Sequence, residues 1–162
     1  MKIKIKIILL LLSIGLSSIQ CIKKNEVPQP TLPAETQTGA NTFGCFVNGE
    51  LWLPKSNFPY SSLNATIQYD ILNLVANQGN KSSIVLVIRD LKSTGEYSFS
   101  NKIYASYAIG DNEDYAMLGK IIVTKYDKTN QIISGRFWFN AKNNNGEIIN
   151  VTDGRFDLNY TN

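Results

Sequence analysis

Histidine is missing from all 162 residues, and cysteine occurs only twice. Without imidazole there is no serine or cysteine nucleophile activated by a histidine base, and no HExxH zinc site. If Cys21 is consumed by the chemistry described below, Cys45 is the single thiol left, too few for zinc or iron–sulfur ligation. Neither common glycine-rich phosphate loop occurs. No cofactor and no metal are therefore expected. A surplus of positive charge is missing too. The chain has sixteen Lys and Arg against thirteen Asp and Glu, and Lys2, Lys4 and Lys6 supply the whole excess. Beyond them the chain is neutral by side chains and lacks the basic stripe that phosphate neutralisation needs, so nucleic acid is not an expected partner.

Those three lysines open the chain and are followed by an apolar run from Ile7 to Leu12 that continues through Ile14 and Leu16. The run is well short of the roughly 20 residues of a membrane-spanning helix. A charged n-region before a short h-region is the pattern of a secretory leader. Cys21 follows directly, where lipoprotein processing attaches a diacylglyceryl group to the thiol and cuts before it. Gln20 departs from the small residue usual at that position, and cleavage near Ser17 or Ser18 is the alternative. A Cys21–Cys45 disulfide would only tether a tail, because NEVPQPTLPAETQTGA between them has almost no large apolar residue to bury. The organisation read from the sequence is thus a lipoprotein leader over 1–20, a lipidated tether over 21–40 and one domain over 41–162. Three prolines in that tether favour extended chain at about 3.1 Å per residue, a reach of roughly 50–60 Å.

The domain reads as all-β, an antiparallel sandwich or barrel-like meander of about eight to ten short strands. No stretch of ten residues carries helical apolar spacing, whereas β-branched and aromatic runs alternate with Asn, Gly, Asp and Ser clusters. Asn48–Gly49 predicts a two-residue hairpin turn that sets Cys45 opposite Trp52 and Phe46 opposite Leu51. QGNK predicts a second hairpin between TIQYDILNLVA and SIVLVIRD, with Asp70 beside Arg89. Near the end, Asn144–Asn145–Gly146 predicts a three-residue loop, and Asp153–Gly154 a two-residue turn. Those registers put Phe137, Phe139, Ala141, Ile149, Val151, Phe156 and Leu158 on one face. Arg136, Trp138, Asn140, Asn150, Thr152, Arg155, Asp157 and Asn159 fall on the other. GRFWF at 135–139 and GRFDL at 154–158 echo one another.

Two sets of residues are candidates for chemistry. Asp111, Glu113 and Asp114 cluster in GDNEDY; paired carboxylates suit glycoside hydrolysis and oxygen ligands suit calcium, while a solvated turn is the plainer reading. Trp138 on the polar face, with Arg136, Asn140, Arg155 and Asp157 about it, is a possible ligand face. An exposed tryptophan beside planar polar groups suits a sugar ring or a protein partner. Burial under a loop or a second sheet is the plainer alternative, with Arg155 and Asp157 forming a weak surface pair.

Thr38–Gly39, the hairpin from Phe43 to Pro54, and the endings Ile133 to Ala141 and Val151 to Leu158 resemble the small lipoproteins of Bacteroidota that carry a domain of unknown function. The resemblance spans about residues 32–162. It implies an outer-membrane lipoprotein with a compact β domain and carries no activity with it. The expected function is a non-enzymatic binding or structural module of the cell envelope, anchored to the membrane through Cys21, with an envelope protein or glycan as partner. The side of the outer membrane is left open. A carboxylate-dependent hydrolase and a β-barrel holding a small apolar ligand are the alternatives.

Overall fold

A computed structural model describes residues 30–59 and 61–162. The leader, Cys21 and the tether up to residue 29 lie outside the described residues. Thr31–Asn162 is one compact unit, and among the described residues every regular element is a strand. The strands are β1 (Thr42–Val47), β2 (Glu50–Trp52), β3 (Leu63–Gln68), β4 (Ile71–Gln78), β5 (Ser82–Arg89), β6 (Gly95–Ser98), β7 (Ile103–Ile109), β8 (Asn112–Asp127), β9 (Ile132–Lys142) and β10 (Ile148–Asn159). They pair antiparallel in the order β2-β1-β10-β9-β8-β7-β5-β4-β3, with β6 on β8.

The sheet curls into a half-barrel, and β8 is where it turns. Its first residues pair with β7, and the rest pair with β9 and β6. Register shifts interrupt its pairing with β9 at Ala116/Leu118 and Val123/Lys125. Such bulges bend a strand and increase its twist. At sixteen residues β8 is not one of the short strands that the turn spacing predicts. Past β10, Thr161 bridges to Thr66 of β3, and Lys55 bridges to Gln78 of β4, so backbone groups are also joined across the open side.

The interior is a single apolar cluster filled by side chains. Leu72, Leu74, Ile84, Leu86, Ile88, Ile121, Ile133 and Phe139 are wholly inaccessible. Side chains thus occupy the space in which a barrel would hold an apolar ligand. Cys45 lies in this core as a free thiol, and burial pushes its pKa up to about 12. Trp52 is buried beside it and donates Nε1–H to Ser82 Oγ at 2.9 Å.

The two asparagine–glycine signals give the registers expected of them. Cys45 faces Trp52 and Phe46 faces Leu51, with Asn48 and Gly49 both at positive φ. Lys142 faces Ile148, with Gly146 left-handed. Two other readings are corrected. Tyr69 and Asp70 are themselves a left-handed turn that separates β3 from β4 (φ 52° and 59°). Ile71 therefore takes the place opposite Arg89, and Asp70 pairs with Lys92 at 2.6 Å instead of with Arg89. Asp153–Gly154 is no turn either. β10 runs through it, and Thr152 and Asp153 together lie opposite Trp138 in a bulge. A bulge and a two-residue turn change inside–outside parity alike. That is why all seven residues assigned to the apolar face are buried although the turn is absent.

The echoed GRF triplets are one device. Gly154 lies opposite Phe137, Arg155 opposite Arg136 and Phe156 opposite Gly135. A Cβ at Gly154 would sit 2.6 Å from the Phe137 ring, and one at Gly135 would sit 2.6 Å from the Phe156 ring. Each aromatic ring thus lies over the glycine of the other triplet, in a core where Phe137 also touches Phe43, Phe139 and Phe156.

Candidate functional site

Pairing the triplets has an electrostatic consequence on the outer face. Arg136 and Arg155 stand directly opposite one another, an arrangement that like charges disfavour. Glu35 lies between them, its carboxylate 3.7 Å from Arg136 Nε and 3.8 Å from Arg155 Nε. Arg155 also donates Nη1–H to Pro33 O at 3.0 Å. Both ion pairs are substantially exposed, so each is worth little alone. What they do is lay residues 33–35, read from sequence as tether, along the sheet.

Two residues further along β10, the attachment is much stronger. Asp157 is 1 % exposed, a buried carboxylate instead of half of a surface pair with Arg155. Its oxygens accept from Thr36 Oγ1 (2.6 Å), Thr38 N (3.0 Å), Gly39 N (2.8 Å), Ala40 N (3.2 Å) and Ser134 Oγ (2.7 Å). Burial pushes the pKa of this carboxyl up, but the hydrogen bonds from Thr36, Thr38, Ser134 and Gly39 outweigh it and hold the group well below the usual carboxylate range. Gly39 allows the wrap, being left-handed at φ 74° and so close to Asn159 that a Cβ would meet Oδ1 at 2.6 Å. Asn41 closes the loop by accepting from Asn159 N at 3.0 Å.

The expected ligand face therefore divides. Arg136, Arg155 and Asp157 face the chain's own N-terminal segment, while Trp138 and Asn140 lie beyond it. Trp138 keeps 36 % of its surface exposed, whereas its neighbours Phe137 and Phe139 are buried. Lys120 stands opposite it on β8, and exposed Leu118 faces Asn140 in the next row. The result is a flat aromatic flanked by an amide, an apolar side chain and a lysine whose ammonium is held by Glu96 at 2.8 Å.

The carboxylates of GDNEDY do not converge. Ile109 faces Asn112 across a turn at Gly110 and Asp111, and consecutive residues of β8 then point to opposite faces. Glu113 turns outward and accepts from Ser106 Oγ at 2.6 Å and Tyr115 Oη at 2.8 Å. Asp114 turns inward opposite Tyr107 and is buried, not solvated. Among the described residues no three thiol or carboxylate side chains gather as metal ligands.

The clasp on Asp157 could not be found from local pattern. Apart from Ser134, its donors lie nearly the whole domain away in sequence, in a segment with no strand periodicity. The one local signal is Ser134, a hydroxyl inside the apolar run IISGRFWF opposite Asp157.

Residues 43–157 match a protein family described as a domain of unknown function (DUF6252). No curated protein and no solved structure matches the chain.

Proposed function

The chain belongs to the DUF6252 family, and from that premise we propose that it is a lipid-anchored, non-enzymatic binding or structural module of the cell envelope. Cys21 is its attachment to the outer membrane, and the face around Trp138 is its contact with an envelope protein or glycan. The leader, the position of Cys21 and the resemblance to small Bacteroidota lipoproteins support the anchor. A stretch of tether precedes Thr31, and from there the Asp157 clasp ties the segment to the sheet. Strain from a membrane attachment would then pass into β9 and β10 instead of peeling β1 from its end.

The observation that carries the binding half is the exposure of Trp138 between two buried phenylalanines. A large aromatic with about a third of its surface in water, held on a central strand, is a ready anchor for a partner. A photoreactive amino acid at position 138 is expected to give a discrete adduct in intact cells, and one at exposed Asn64 on β3 is expected to give none. Trp138→Ala should cost far less stability than the roughly 3–5 kcal/mol of a buried aromatic. A loss of that size, with no adduct at 138, would make Trp138 a core residue and remove the contact face.

A further inference from the structure

A second surface feature lies away from Trp138. Tyr69, Tyr126, Tyr160, Asp70, Lys128 and Asn162 line a groove of about 580 Å³, within the range of about 300–1,000 Å³ usual for ligand sites. A second groove of about 750 Å³, lined also by Lys125 and Gln37, adjoins it at the shared side chains of Tyr126 and Lys128, and the pair make a shallow trough on the surface.

The backbone supplies an independent observation. Tyr69 is the first residue of a two-residue turn in which both residues are left-handed. Such turns strongly favour Asn or Gly, and a bulky residue in this conformation is strained. Tyr69 receives no packing in compensation, since 97 % of its surface is exposed. Strain held without a packing return points to use of the side chain.

We propose that this trough binds a neutral oligosaccharide chain, with the Tyr69 ring as a stacking platform. A sugar presents an apolar C–H face and a rim of hydroxyls. It is met by flat aromatic side chains that also carry a polar group, with amides and a carboxylate close by. Tyr126 and Tyr160 pack together at 6.1 Å between ring centroids. Both phenols are un-ionised at neutral pH, as any ordinary tyrosine is; Tyr160 is buried at 4 % exposure and backs the groove, leaving Tyr126 the more accessible of the two. Gln68 and Asn162 add planar amides. Charge does not select an ion: Asp70 is held by Lys92 at 2.6 Å, and the Lys128 ammonium lies 5.2 Å over the Tyr126 ring. A trough open along its length suits a chain better than a small enclosed molecule. The site is separate from the Trp138 face and does not depend on the lipid anchor.

The test is titration of the full chain with cellohexaose, xylohexaose, chitohexaose and an oligogalacturonate, read by calorimetry. At least one neutral hexasaccharide is expected to bind, with little dependence on salt. Tyr69→Gly should weaken that binding roughly tenfold, equivalent to about 1.4 kcal/mol, and should not lower the melting temperature, because glycine relieves the left-handed backbone. The unchanged fold separates loss of the platform from unfolding. Absence of binding by all three neutral sugars at millimolar concentration overturns the proposal. So does binding that Tyr69→Gly leaves intact, or preference for oligogalacturonate that disappears with salt.

Discussion

Asp157→Asn is expected to destabilise the domain by about 3 kcal/mol, on the scale of buried donors left facing the wrong partner. The substitution keeps size and shape but replaces one accepting oxygen with an NH₂. At either position that group would face backbone N–H donors, Gly39 N if it replaces Oδ1 and Thr38 N and Ala40 N if it replaces Oδ2. Residues 31–40 should lose amide-exchange protection together with the global loss, and β1 should lose some with them. The effect has a pH signature. The folded carboxyl titrates below its ordinary range, whereas in the unfolded chain it titrates near pH 3.9. Between those values the unfolded state binds more protons, so stability rises with pH. The gap between wild type and Asp157→Asn should therefore be full above about pH 5 and close as pH falls below about 4. Chemical denaturation across that range checks it. A gap independent of pH would mean that the charge of Asp157 contributes nothing.

The second large effect is at the paired GRF triplets, and here the two glycines should behave differently. A Cβ at Gly135 would meet the backbone oxygen of Ile122 at 2.2 Å as well as the Phe156 ring. Backbone in a sheet cannot yield, so Gly135→Ala should cost about 3 kcal/mol or more, the upper range for overpacking. The three atoms nearest a Cβ at Gly154 all belong to the Phe137 ring, a side chain and not backbone. Gly154→Ala should then be partly rescued by Phe137→Leu, which shortens the obstructing side chain, while Gly135→Ala should not be rescued by Phe156→Leu. Double-mutant cycles measure both couplings. Equal rescue at the two sites would contradict the reciprocal glycine–aromatic packing.

Much of this architecture was legible in the chain because it rests on local rules. Asn48–Gly49 and Asn143 to Gly146 are turns in which residue type dictates backbone conformation, and register follows from the turn. The apolar face of β9 and β10 was legible for a subtler reason: inward positions at Val151 and Phe156 require one change of parity, whichever device supplies it. The device itself was not legible, because Asp–Gly suits a turn and a bulge alike. Tyr69–Asp70 was missed because tyrosine is not a left-handed residue by type, and its strain is visible only in φ. The fate of Arg155 and Asp157 was illegible in a stronger sense. On alternation alone they belong to a solvent face. Only the return of residues 33–40 across that face, a contact over more than a hundred residues of chain, turns a surface aspartate into a buried one. The same contact leaves Trp138 and Asn140 as the open remainder of the face.

Everything proposed about where the protein works depends on Cys21. The most direct measurement is the intact mass of detergent-extracted protein, wild type beside Cys21→Ser. The predicted result is a wild-type mass equal to residues 21–162 plus lipid, with that species absent from the mutant. A wild-type chain that carries no lipid and begins near Ile19 would contradict the anchor and make the domain a diffusible secreted one.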